Sequence, residues 1–138
     1  MKKKSLAKDK VLDSSAVLAY FEGGTGCQAV TEILQKSAAD SFRIFISAAN
    51  WAEVLSVIER RYGAARRGQI EMLAEQMSLD IVPVDKALAR LSAHLNASFR
   101  LHYLDAFAAA LTISKEAELV TRDLDFKLVE RELKIFWL

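Results

Sequence analysis

Two aspartates, Asp123 and Asp125, follow directly on a short apolar run in LVTRDLDFK (residues 119–127). Asp13 ends another such run in KVLD, while Glu53 and Asp105 stand early in two segments of helical periodicity. Taken alone, each acid has an ordinary structural use, because a carboxylate at a helix start accepts from free N–H groups and complements the helix dipole. Taken together they imply something else: several carboxylates in one low-dielectric cleft cannot all stay ionised without a compensating cation. Oxygen-only ligands, with no cysteine cluster, select a hard ion such as Mg²⁺ or Mn²⁺. Such an ion can bind a scissile phosphate, lower the pKa of an attacking water and neutralise charge on a pentacovalent transition state. The expected substrate therefore carries phosphate.

Which of these uses applies depends on the elements that position the acids. KVLD (10–13), RIFIS (43–47), DIVPV (80–84), ELVT (118–121) and KIFWL (134–138) read as strands. Pro83 marks the third as an edge or a strand end. Between them, helical spacing predicts helices over SSAVLAYF (14–21), 26–38 with Val30, Ile33 and Leu34 as its stripe, and 51–62 with Val54, Leu55 and Ile58. Further helices are predicted over 64–78, 85–98 through Leu88, Leu91 and Leu95, and 103–117, where Leu104, Phe107, Ala108 and Leu111 form the stripe. Short, nearly unalternating strands separated by helices imply a parallel sheet of four to five strands covered on both faces, a three-layer α/β/α fold. Such sheets hold ligands beyond the carboxyl ends of their strands. Asp13, Glu53, Asp105 and Asp123 all fall there, and they converge if the first strand neighbours ELVT.

The chain of 138 residues is read as a single domain over 1–138, with 52% apolar and 27% charged residues, Gly 5 and Pro 1. The lone cysteine, Cys27, cannot form an internal bridge, which fits a reducing compartment. MKKKSLAKDK has basic character without a following apolar stretch of signal length, so the expected location is cytoplasmic, with no membrane segment. Net charge is +1, but residues 1–69 carry +4 and residues 70–138 carry −3. Lys2, Lys3, Lys4, Lys8 and Lys10, and then Arg60, Arg61, Arg66 and Arg67, are either a backbone-phosphate surface or a plain solvated face. His94 and His102 are assigned structural roles, since neither stands near a positioned nucleophile. A phosphoaspartate chemistry is disfavoured because VLDSS lacks a second aspartate two residues on and no acidic pair precedes the strand.

From VLDSSAVLAYF through ISAANWAEVLSVI and YLDAFAAALT to LVTRDLDFK and KIFWL, the chain resembles a PIN-domain ribonuclease of the VapC toxin type over essentially its full length. On that resemblance the family's four acids match Asp13, Glu53, Asp105 and Asp123, with Asp125 as an auxiliary metal ligand and Thr121 as the hydroxyl residue before the last acid. It implies a PIN-like fold, a Mg²⁺- or Mn²⁺-dependent endoribonuclease acting on RNA, a homodimer, and a cognate antitoxin whose peptide occupies the active-site groove. An exposed apolar surface is expected between helix 26–38 and the helices of 51–78. Loss of activity on a retained PIN-like fold would leave an RNA- or protein-binding module. Three positions stay open. Ser14 bonds either the first helix turn or a metal-bound water; Asn50 orients a water or the RNA backbone, or satisfies local backbone groups; Arg122, where many relatives carry a small residue, touches RNA phosphate, pairs with an acid or restricts the groove.

Overall fold

Parallel strands of three or four residues need long crossovers, and this chain supplies one or two helices for most of them. The computed structural model describes residues 8–40 and 42–138. In chain order the elements are β1 (Lys10–Leu12), α1 (Ser14–Glu22), α2 (Cys27–Asp40), β2 (Ile44–Ser47), α3 (Ala48–Tyr62), α4 (Ala64–Gln76) and β3 (Leu79–Val82). They continue with α5 (Lys86–Phe99), α6 (Tyr103–Ser114), β4 (Glu118–Thr121), a 3-10 segment Leu124–Val129 and β5 (Lys134–Trp137). The five strands form one wholly parallel sheet in the order β3-β2-β1-β4-β5. Pro83 lies just past β3, which is an edge strand, so its missing N–H costs the ladder nothing.

Successive strand residues point to opposite faces, and both faces are apolar. Leu12, Ile44, Ile46 and Val120 join Val17, Val30, Val54, Ile58 and Ile70 under α1 to α4. Val11, Phe45 and Leu119 join Leu88, Leu95, Leu111 and Phe126 under α5, α6 and the 3-10 segment. Helix α6 is buried nearly all round through Ala106, Ala108, Ala109, Ala110 and Leu111, whose small side chains let it lie close to the sheet. The outcome is the three-layer α/β/α arrangement, with β1 at the centre.

Most differences from the predicted elements are of one to three residues, at ends where a cap decides. The important one is the start of α3, at Ala48 rather than 51. Ser47 ends β2 and caps α3, its Oγ accepting from the Asn50 N–H at 3.0 Å. Glu53 consequently lies in the second turn, not at the helix start, and the free N–H groups of the first turn are not what stabilises it. Asp13 likewise leaves the strand to become the N-cap of α1.

Candidate active site

The sequence runs β1 to β2 to β3 on one side of the sheet and then places β4 on the other side of β1, so the strand order reverses between β1 and β4. The crevice beyond the carboxyl ends of strands at such a reversal is where open α/β sheets hold ligands. Register does the rest. Leu12 pairs with Val120, which sets Asp13 beside Thr121 although 108 positions separate them.

Asp13 is 3% exposed, and its carboxylate is fully engaged. Oδ1 accepts from Ser15 Oγ at 2.7 Å and from the Ala16 N–H at 2.9 Å; Oδ2 accepts from Thr121 Oγ1 at 2.6 Å. Thr121 Oγ1 in turn accepts from the Asp123 N–H at 2.9 Å, and Asp123 Oδ1 accepts from the Asp125 N–H at 2.9 Å. One hydroxyl thus couples the acid after β1 to the acids after β4. Ser15, which the sequence reading passed over, also accepts from the Arg122 N–H at 3.1 Å and so bridges the same two strand ends. Its sequence signal was the Asp-x-Ser spacing at a helix start, where a hydroxyl two residues past the cap can return to it.

The carboxylates of Asp105, Asp123 and Asp125 each offer an oxygen within 4.8 Å of the others. Asp13 and Glu53 fall outside that tight set, yet both act electrostatically on Asp105, as do Asp123 and Asp125. All five acids therefore meet at one edge of the sheet, with Asp125 beside Asp105 and Asp123. Burial, followed by the charges of Asp123, Asp13, Asp125 and Glu53, pushes the Asp105 carboxyl up to about 7. Burial also pushes Asp13 up to about 6, against the opposing effect of its three hydrogen bonds. Among the described residues no lysine or arginine hydrogen-bonds or ion-pairs with any of the five. A set of unpaired carboxylate oxygens this close fits a hard divalent cation.

The supporting residues resolve as follows. Ser14 Oγ donates to Glu53 Oε1, tying α1 to α3, which neither of its sequence readings contained. Asn50 is 1% exposed and, besides its local partner Ser47, donates from Nδ2 to the Leu104 carbonyl at 2.9 Å, 54 residues away. The exposed Arg122 donates from Nη1 to the Thr25 carbonyl at 3.1 Å and lies 3.4 Å from where a Cβ on Gly24 would stand. His102 caps α6, its Nδ1 accepting from the Leu104 N–H, and His94 is exposed on α5.

The basic groups behave differently from a free phosphate surface. Lys10 is buried against Glu118 at 3.2 Å, Arg61 pairs with Glu22, and Arg67 pairs with Glu59 and Glu71. Arg66 lies over the Tyr62 ring. Lys2, Lys3 and Lys4 lie outside the described residues. No helix of the described residues is long and apolar enough to cross a membrane.

With this geometry in place, comparison with known proteins is informative. The family model for the PIN domain matches residues 10–132. No curated protein sequence matches significantly. Among solved structures, a chain of a toxin–antitoxin complex from Klebsiella pneumoniae is similar with a TM-score of 0.66 at 20% identity, covering 86% of this chain and 90% of that one. A chain of VapBC2 from Rickettsia felis, bound to a DNA fragment from its promoter, is similar with a TM-score of 0.72 at 17% identity, covering 94% and 98%. VapC20 from Mycobacterium tuberculosis, described as a sarcin–ricin loop cleaving toxin, gives a TM-score of 0.70 at 15% identity, covering 86% and 93%. These likenesses extend over whole chains and concern the fold, while the family model spans most of the sequence and includes every acid of the cluster: the chain belongs to the PIN domain family.

Proposed function

We propose that residues 1–138 form a single-domain, Mg²⁺- or Mn²⁺-dependent endoribonuclease, the toxin of a VapBC-type toxin–antitoxin pair. The observation that carries this reading is the meeting of Asp13, Glu53, Asp105, Asp123 and Asp125 beyond β1 and β4 with no basic partner among the described residues. Asp105, Asp123 and Asp125 are the residues best placed to hold the ion, with Glu53 and Asp13 completing the negative field. When bound, the cation supplies Lewis-acid activation of water and charge neutralisation at a phosphodiester. Asp13, held by Ser15, Ala16 and Thr121, keeps the ends of β1 and β4 together, and Glu53, held by Ser14, faces the same crevice. The exposed Arg122 guanidinium, one residue before Asp123, is a candidate contact for an RNA phosphate outside the acidic centre.

Partners follow from the same reading. A groove of about 530 Å³ lined by Tyr20, Phe21, Leu73, Gln76 and Met77 lies between α1 and α4, and a smaller one of about 210 Å³ that shares Tyr20 and Met77 reaches Thr31 and Leu34 on α2. Its apolar lining suits an amphipathic segment of a cognate antitoxin, and the similar chains from toxin–antitoxin complexes support that partner. A homodimer is proposed on the family resemblance, and light scattering of the isolated chain tests it. The decisive test of activity is incubation of purified protein with a mixed RNA pool, with Mg²⁺ or Mn²⁺ and with chelator, followed by mapping of cut ends. Discrete cuts that require the metal support the reading. RNA left intact in both metals favours a non-catalytic RNA- or protein-binding module.

A further inference from the structure

Helices α3 and α6 pack on opposite faces of the sheet, so the sheet alone does not fix how their first turns sit relative to each other. Yet Glu53 comes from one and Asp105 from the other. Asp105 makes no side-chain hydrogen bond among the described residues, unlike Asp13, Glu53 and Asp123, so its place is set by the backbone of α6. That backbone packs on the sheet through its alanine-rich face and is tied to α3 by a side chain. Asn50, in the first turn of α3, donates from Nδ2 to the carbonyl of Leu104, the residue immediately before Asp105, at 2.9 Å. This is the one side-chain hydrogen bond between α3 and α6 among the described residues. The other end of the Asn50 amide is also committed: Oδ1 accepts from Ser47 Oγ at 2.5 Å, and Ser47 Oγ accepts from the Asn50 N–H. The amide therefore has a fixed rotamer, a fixed orientation and almost no exposure.

We infer that Asn50 is a positioning residue for the acidic centre, a cross-layer strut that sets the placement of Asp105 relative to Glu53 and so the ion affinity of the site. The inference rests on the proposed metal site but concerns this chain's own residues. Groups that orient metal ligands from behind commonly change affinity by about 10- to 100-fold when removed. A merely structural Asn50 would change stability alone.

The test is Mn²⁺ binding, measured by calorimetry on metal-free protein well below the melting temperature of each variant, for wild type, N50A, N50S and S47A. Serine at 50 keeps a polar group beside Ser47 but is too short to reach Leu104. S47A removes the cap of α3 and the hydroxyl donor to Asn50 Oδ1, but leaves the Asn50 Nδ2–Leu104 bond, the one the strut requires, available. The expected result is a Kd raised about tenfold or more in N50A and N50S and within about threefold of wild type in S47A, whose melting temperature nevertheless falls. If N50A does not fold, N50S carries the test. N50S binding Mn²⁺ as tightly as wild type overturns the inference, as does an S47A loss equal to that of N50S. Wild type that binds no Mn²⁺ overturns the metal reading itself, and the strut with it.

Discussion

At the amino ends of the strands Lys10 meets Glu118 at 3.2 Å, and Arg43 meets Asp80 at 2.6 Å while its N–H donates to Asp9 at 2.8 Å. At the carboxyl ends five acids gather, and among the described residues their hydrogen-bond partners are hydroxyls and backbone N–H groups only. The same sheet thus compensates charge at one edge and accumulates it at the other. A folded chain tolerates the second arrangement by holding carboxyls protonated, the direction in which burial and neighbouring carboxylates push Asp105 and burial pushes Asp13, or by taking up a cation. Paired charge at the amino edge belongs to the fold. Unpaired charge at the carboxyl edge is what the proposed function uses.

Breaking the carboxyl edge should have the largest effect. D105N and D123N each remove one charge from the proposed ion site without changing size, and metal-dependent RNA cleavage should fall about a hundredfold or more, roughly 3 kcal/mol of transition-state stabilisation. Both variants should stay folded by circular dichroism. Rates equal to wild type would leave Asp123 as the cap of the 3-10 segment and Asp105 without a part in cleavage.

Next in size is the pH dependence of metal-free stability. Asp105 shifts from 3.8 in its ordinary state to about 7 in the fold, and Asp13 from 3.8 to about 6. A raised carboxyl binds its proton more tightly when folded, so its contribution is fully present below 3.8 and is lost as pH rises through 6 and 7. Metal-free protein should therefore lose stability between pH 4 and pH 8. For Asp105, partly exposed and so screened by solvent, the loss is on the order of 1–2 kcal/mol. Denaturant titrations across this range check it, and D105N should flatten the upper part of the curve.

The smallest effect belongs to the amino edge. R43A breaks an exposed pair and should change stability by less than about 1 kcal/mol, with cleavage unchanged. A large loss of activity in R43A would mean that the two edges are not independent.

Much of this contrast is legible in the sequence. The apolar bursts and helical stripes carried the layer order, and Asp13 with Asp123 after two strands carried the location of the site. What periodicity could not carry was partnership across the chain. Thr121 and Asp13 are neighbours because Leu12 pairs with Val120, a register that no local pattern encodes. Asn50 stayed open between a water or RNA contact and local backbone groups because its acceptor, the Leu104 carbonyl, lies on another layer. Ser47 hid the start of α3, since a serine closing an apolar strand looks like strand end and helix cap alike, and the resulting offset put Glu53 one turn too early. The closeness of Asp125 to Asp105 was hidden for a similar reason: it depends on the fold of the 3-10 segment after Asp123.

The most direct test of the claim that the carboxyl edge is built for a cation is calorimetric titration of metal-free protein with Mn²⁺ at pH 5.5 and pH 8, beside the D105N/D123N double variant. At the lower pH, Asp105 and Asp13 must give up protons for the ion to bind. Affinity should therefore be about tenfold or more higher at pH 8, with proton release at pH 5.5, and the double variant should bind far more weakly at both. Mn²⁺ affinity that is independent of pH and equal in wild type and the double variant would contradict the account.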